Sequence, residues 1–521
     1  MKLIKNIFTI TLFTLALTGC EDFLEPNSKS EFIPQDANSL NELLLGEAYQ
    51  RNDMSGFNIF LNLLDDDIEA APYQVPNDGF NEDKYLGSFT WQPNMFEKME
   101  MASSGHINMY EKYYELILGT NAVLDYLPGV TDTEDMINSV KAQAYALRGF
   151  YYFNLVNIFG QPYNSNPTAL GVPLKLNSGI EESDEYLKRK TVAEIYNQIL
   201  SDLLAADSIY NTLPKELQLK KKYRTSLPMV QLLLSRTYLY MENWKKAAKY
   251  AEMVIDNEFG IALKDLNDVP AKSGSTRNYI NYPIADNPES IWLYGSLEDM
   301  FGWTYYGANA SNPNNNNKKM HAYFQASQDL IDSYDDFDLR KTQYIIEAPL
   351  DSINSTDFMS MAFGKINVGT EYYLPKNATG MFGRCLRLSE AYLNYAEAQT
   401  NIGGEGIAKA VTTLNTLREK RFDPEDFEAI SIANKDELIK FIKAERRREL
   451  CFEGHRWFDL RRWGMPEIKH VWHHSEKESK VYTLKEKDLM YTVPLPDEAL
   501  EENVQLVQNE LITNERTGVP L

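Results

Sequence analysis

"ELCFEGHRWFDLRRWG", residues 449–464, gathers Glu449, Glu453, Asp459, His455, three arginines and two tryptophans into one short run. Glu449 and Glu453 stand four apart. On a helix that spacing puts their Cβ atoms about 5–6 Å from each other, a range in which paired carboxylates cleave glycosides. A general acid, however, needs a carboxyl isolated enough to keep its proton. Arg446, Arg447, Arg448 and Arg456 crowd the same stretch, and guanidinium groups favour ionised carboxylates that pair with them. The run therefore reads as a helix-end ion network rather than a catalytic pair, with Trp457, Phe458 and Trp463 locking the last helices together.

Outward from it, apolar residues recur at three and four, the helical period. "KDELIKFIKAERRREL" (435–450) is a helix leading into the run. "LRLSEAYLNYAEAQTNIGGEGIAKAVTTLNTLREKR" (386–421) is a helix pair turning at Gly403, Gly404 and Gly406. Further upstream, 106–127 and 137–160 form an antiparallel pair. "TVAEIYNQILSDLLAADSIY" (191–210), with Val192, Ile195, Ile199 and Leu203 on one face, precedes 226–257. There a helix runs through Tyr240, turns at Glu242–Asn243 and restarts at Trp244 with the small residues Ala247, Ala248 and Ala251. That helix–turn–helix is similar to a tetratricopeptide repeat, although the repeats are too degenerate for a uniform solenoid. A short helix is expected from Asn38 to Tyr49.

Between 258 and 385 the texture changes. "ESIWLYGS" (289–296) reads as a strand, and 297–324 is a Gly- and Asn-rich loop carrying "GWTYYG" (302–307). Loops this long inside a compact domain are usually functional. The tail "YTVPLPDEALEENVQLVQNE" (491–510), with Pro494 and Pro496, is expected to run extended over the surface.

Composition narrows the function. The 521 residues are 43% hydrophobic, enough for a core without staples, and the net charge is −23. Charge of that sign repels phosphate backbones, which argues against nucleic acid. Lysines and arginines cluster only in "LKKKYR" (219–224) and "RRREL" (446–450). Cys385 and Cys451 are expected as buried thiols. At the N-terminus, "MKLIKNIFTITLFTLALTGC" has Lys2 and Lys5, then an apolar run from Ile7 to Leu17. That run is shorter than the roughly 20 residues of a membrane span and reads as an export signal. Its end, "LTGC" (17–20), resembles a bacterial lipoprotein box. The resemblance implies a signal peptide over 1–19, a lipidated Cys20 at the mature N-terminus, and a polar tether over 20–36; several acyl chains anchor a protein stably.

Other chemistries are thin. "HVWHH" (470–474) sets His470, His473 and His474 at helical zinc spacing, but without a partner motif, and reads as an exposed incidental cluster. Asp65 to Asp67 and "DSYDDFDLR" (332–340) lack the spaced calcium loop, leaving calcium a weak alternative to no cofactor. Aromatic loops offer more: "FTWQPN" (89–94) carries Trp91 and Asn94, and the second loop carries Trp303, Tyr305 and Tyr306. Exposed rings stack on the apolar faces of sugars while amides bind hydroxyls.

Taken in order, "LTGCEDFLE" (17–25), "LRGFYYFNLVNIFGQPY" (147–163), "LRLSEAYLNYAEAQTNIGG" (386–404), "ERRRELCFEGHRWFDLRRWG" (445–464) and "VPLPDEALEENVQLVQN" (493–509) resemble the SusD/RagB family of outer-membrane nutrient-binding lipoproteins. The resemblance implies a mainly α fold in one domain over 37–521. Four tetratricopeptide-like helix pairs, at about 106–160, 191–257, 386–421 and 435–464, would pack against an irregular ligand-binding half with short strands. Ligand-binding loops would lie at about 65–105 and 258–385. It further implies a lipid-anchored protein on the cell surface that captures glycans and passes them to a SusC-like TonB-dependent transporter, without catalysis. Capture of peptides, as by RagB-like members, is the alternative within the family, and a glycoside hydrolase the alternative outside it. Trp91, Asn94, Trp303, Tyr305 and Tyr306 are the ligand contacts carried over.

Overall fold

The computed structural model describes residues 33–50, 59–70, 83–102, 109–179, 187–269, 272–273, 276–277, 279–280, 282–295, 305–307, 320–322, 324–346, 366–367, 371–372, 382–475 and 477–521. Within them the fold is mainly α. The expected N-terminal helix is present as α1 (Ala37–Leu43), capped by Asp36 and continued by a π-turn over Leu44–Ala48. After β1 (Ile68–Ala70) come α2 (Asp83–Phe89) and α3 (Met95–Ala102).

The helical body begins with α4 (Met109–Tyr126) and α5 (Glu134–Phe159). Thr133 caps α5 by accepting from the Met136 amide, and Glu134 and Asp135 lie at the positive end of its dipole. After β2 (Leu170–Pro173) and β3 (Arg189–Thr191), α6 (Val192–Thr212) opens with a capping box of Thr191 and Glu194. Gly149 of α5 lets α6 close in: a Cβ there would stand 3.0 Å from the Leu203 side chain. Helix α7 (Leu227–Tyr240) is buried along its whole length, and α8 (Trp244–Ile255) follows across a turn in which Glu242 takes φ 57°. The Ser235 hydroxyl donates to the Ala247 carbonyl at 3.0 Å across that pair, as close as the small alanines permit.

The loop-rich half contributes β4 (Ser290–Tyr294), β5 (Tyr305–Gly307), β6 (Met320–Ala322), β7 (Phe324–Ala326), α9 (Gln328–Asp332), α10 (Leu339–Gln343) and β8 (Glu371–Tyr372). Strand β9 (Arg384–Arg387) returns antiparallel to β4 and runs into α11 (Leu388–Ile402), α12 (Glu405–Glu419), α13 (Lys435–Leu450) and α14 (Arg456–Arg462). Successive helices pack in a chain: α4 on α5, α5 on α6, α6 on α7, α7 on α8, α8 on α11, and α11 on α12 and α13. Strands β10 (Ile468–Ser475), β11 (Glu478–Leu484) and β12 (Val519–Pro520) form an antiparallel sheet.

Three local expectations change. "HVWHH" lies in β10, so its histidines do not share helical spacing; Ile468, His470 and Trp472 alternate inward with the strand period of two. Of the three glycines between α11 and α12, Gly403 (φ 77°) and Gly404 (φ 58°) make the turn, a region L-residues avoid. Gly406 is already helical and serves contact instead. The tail is extended from Thr492 to Pro496 but carries a short helix, Asp497–Glu502, with Val493 and Leu495 buried rather than lying on the surface. Cys385 and Cys451 are buried thiols, as expected.

A Cβ on Gly406 would sit 2.3 Å from the Gln399 carbonyl oxygen. Gly406→Ala is therefore expected to lower stability by about 1–3 kcal/mol through forced separation of α11 and α12. Denaturant unfolding checks it, and an unchanged midpoint would contradict the close approach.

Candidate functional site

The Glu449 carboxylate has no exposed surface, yet it is not paired with its sequence neighbours. Its Oε1 accepts from Arg387 Nη1 at 2.5 Å and Arg421 Nη2 at 2.9 Å, and its Oε2 from Arg340 Nη1 at 2.9 Å. Glu289, also buried, bridges Arg387 (2.8 Å) and Arg421 (2.9 Å). Glu453 takes the second amino group of Arg387 at 2.8 Å. Glu445, one turn before Glu449, binds Arg340 (2.8 Å) and Arg448 (2.7 Å), and Asp338 completes the shell of Arg340 at 2.7 Å.

Burial pushes the Glu449 carboxyl up, but Arg421, Arg387 and Arg340 outweigh it and hold the group well below the usual carboxylate range. For Glu445 burial is likewise overcome, by Arg340 and Arg448, leaving it at about 2. Glu449, ionised and without exposed surface, is thus placed as an ion-pair partner and not as a proton donor.

The nearby arginines look elsewhere. Arg446 reaches Asp459 (2.7 Å) and Asn394 (2.8 Å). Arg447 binds Asp67 (2.8 Å), and Arg456 binds Asp66 (2.6 Å), so α13 and α14 grip the chain just before β1. The link between those helices turns at Phe452 (φ 62°) and Gly454 (φ 80°), where a Cβ on Gly454 would meet Arg384 Nη1 at 3.2 Å. Trp457 stacks on Tyr491 of the tail (centroids 4.9 Å, planes 11° apart), so it locks the tail as much as the helices. Trp463 is only half-buried, between the cations of Arg462 and Lys443.

The candidate ligand residues separate. Trp91 is not a surface ring: it is fully buried, its Nε1 donates to the Leu64 carbonyl at 2.9 Å, and its ring stacks on His470 at 4.3 Å. Phe89 covers the other face of that imidazole at 4.1 Å. The end of α2 therefore serves the core, where aromatic side chains from three segments meet. Asn94 is half-buried and committed to the tail, its Nδ2 donating to Glu515 at 3.0 Å. Trp91, without exposed surface, offers no face to a ligand. Tyr305 and Tyr306 lie in β5, opposite Ala322 and His321 of β6, whose other edge pairs with β8. Trp303 and Cys20 lie outside the described residues.

The histidines do not converge. Both nitrogens of His470 face carbonyls, Phe89 at 2.7 Å and Asp65 at 2.9 Å, while burial pushes the ring down to about 4. This histidine is buried, contrary to the expected exposed cluster. His473 meets Ser479 at 2.8 Å and His474 meets Tyr482 at 3.2 Å. No group of three metal-ligating side chains stands together among the described residues. At Asp65–Asp67 two of the carboxylates are engaged by Arg447 and Arg456.

Comparison with known proteins decides the family. A sequence model of the SusD family matches residues 377–511, and a second, described as "Starch-binding associating with outer membrane", matches residues 24–239. The chain belongs to the SusD-like family. SusD-like protein P2 of Formosa agariphila is 25% identical over 397 residues, covering 69% of this chain and 72% of the relative. A SusD-like carbohydrate-binding protein from Bacteroides vulgatus superposes with TM-score 0.64 at 18% identity, over 92% of this chain and 100% of the other. A laminarin-binding SusD-like protein superposes with TM-score 0.56 at 19% identity, over 91% and 99%. The mainly α architecture is thus the SusD fold. One aromatic pair escaped the sequence reading: Tyr223 is exposed beside Phe382. Its only sequence signal was the charge run "LKKKYR".

Two outcomes follow from these contacts. Trp91→Ala is expected to cost about 3–5 kcal/mol of stability, as for a buried aromatic, with ligand affinity of the folded fraction unchanged; a lost affinity at unchanged melting temperature would return Trp91 to the site. Glu445→Gln is expected to cost about 1.5–3 kcal/mol at neutral pH by removing the charge that bridges Arg340 and Arg448, while Asp338 and Glu449 still hold Arg340. Because the folded value of about 2 lies below the unfolded 4.5, the charge contributes stability that is full above 4.5 and lost as pH falls toward 2. The difference between wild type and variant in melts should narrow across that window.

Proposed function

We propose that the protein binds glycans at the cell surface and delivers them to a SusC-like TonB-dependent transporter, held at the outer membrane by lipid on Cys20. The observation that carries this reading is the match of residues 24–239 to the family described as starch-binding and associating with the outer membrane. Structural neighbours named for carbohydrate and laminarin binding support it. So does the chemistry at 445–464, where the most enzyme-like carboxylates are spent on ion pairs. The helical stack supplies a rigid body, and the ligand surface belongs to the loop-rich half, with Trp303, Tyr305 and Tyr306 as contacts. No cofactor enters: ring stacking and amide contacts need none.

Residues 21–521, titrated by calorimetry against oligosaccharides and peptides, test the reading. Saturable oligosaccharide binding without release of reducing sugar is expected, and it should survive a metal chelator. Turnover would make the protein a hydrolase, and peptide binding alone would put it with the RagB-like members. Trp303→Ala should cost about 1–3 kcal/mol of ligand binding. Cys20→Ala in the full-length chain should move the protein out of the membrane fraction; unchanged fractionation would remove the lipid anchor.

A further inference from the structure

In a chain of net charge −23, "LKKKYR" (219–224) is one of the few concentrations of positive charge. Lys220 and Lys221 are exposed, and neither forms an ion pair among the described residues. Lys222 is drawn inward, its Nζ donating to the Asn287 carbonyl at 2.5 Å, within electrostatic reach of Asp286. The next residue, Tyr223, turns back out and is 45% exposed. Its ring lies nearly parallel to that of the half-buried Phe382, with centroids 6.3 Å apart and planes 12° apart.

This pair is built into the fold rather than hanging from it. The Leu293 amide of β4 donates to the Lys222 carbonyl at 2.8 Å, laying the run along the strand. Phe382 donates its amide to the Pro283 carbonyl at 3.3 Å, and Gly383 to the Gly295 carbonyl at 3.2 Å. Gly295 and Gly383 mark the end of the β4–β9 pair, where the chain leaves for the segment containing "GWTYYG". The ring pair and its lysines thus sit at the root of the candidate ligand loop.

We propose that Tyr223, Phe382, Lys220 and Lys221 form a subsite for a negatively charged sugar, carboxylated or sulfated. An exposed phenol supported by a parallel ring offers a flat apolar face with a polar tip, suited to the face of a pyranose. The exposed ammonium groups of Lys220 and Lys221, three and two positions before Tyr223 in the same run and without an ion pair among the described residues, attract an anion that the rest of this acidic surface repels, so an acidic glycan is held in one register. The inference rests on the glycan-binding reading above and names its substrate class.

The experiment is calorimetry of residues 21–521 with oligogalacturonate, alginate and sulfated galactan oligosaccharides, each against its neutral counterpart: methyl-esterified, carboxyl-reduced and desulfated. At least one acidic oligosaccharide should bind about tenfold more tightly than its neutral form, and the preference should shrink between roughly 50 and 500 mM salt as screening grows. The double variant Lys220→Gln/Lys221→Gln should erase the preference while leaving neutral binding and the melting temperature as they are. Tyr223→Ala should weaken both forms about tenfold. Neutral and acidic forms binding equally, or a double variant with undiminished acidic affinity, would overturn the subsite and leave the glycan reading standing. Binding of no oligosaccharide in either series would overturn both.

Discussion

One carboxylate sets the frame of this protein. Glu449, without exposed surface, is met by guanidinium groups from α10, from the end of β9 and from the second residue after α12. A second carboxylate, Glu289 just before β4, shares two of them. Desolvating so many charges costs several kcal/mol per ion, and attraction offsets it only when every lone pair and N–H is placed. Such a cluster contributes little net stability over an apolar core of equal volume, but it tolerates one geometry. Shifting any of the four segments by a residue would strand a buried charge.

That constraint explains what could and could not be read from the sequence. Helices α4 to α8 and α11 to α13 were readable because their apolar period, caps and turn glycines are local properties. The reading of 449–464 as ionic scaffold also survived, because arginine beside glutamate argues against a proton donor wherever the arginines point. Their actual targets were not readable: Glu449 bonds residues 109, 62 and 28 positions away, distances at which no helical spacing applies.

Trp91 departed from expectation for a different reason. A tryptophan in a loop-like stretch has the same local sequence whether it stacks on a sugar or on a histidine. Trp91 is buried because His470, in β10, arrives from the far end of the chain with Phe89 on its other face. Only tertiary contact distinguishes the cases. Tyr223 shows the converse, since its exposure follows from Lys222 turning inward to Asn287, and a run of lysines gives no hint of which one does so.

The two halves are joined by the same chemistry that fixes the core. Arg447 and Arg456 hold Asp67 and Asp66, immediately before β1. Strand β1 pairs with β7 in the register Ile68 to Ala326, and β7 begins at Phe324, two positions after β6 ends. Strand β6 in turn carries β5, the strand of Tyr305 and Tyr306. On the other side, Arg387 of the Glu449 cluster ends β9, whose partner β4 leads to the root where Tyr223 and Phe382 lie. Both ends of the candidate ligand loop therefore start from strands tied to buried ion pairs. Loop residues between fixed roots can change without disturbing the core that supports them. A rigid ionic frame carrying loops between fixed roots is thus a physical means for one fold to take different ligands.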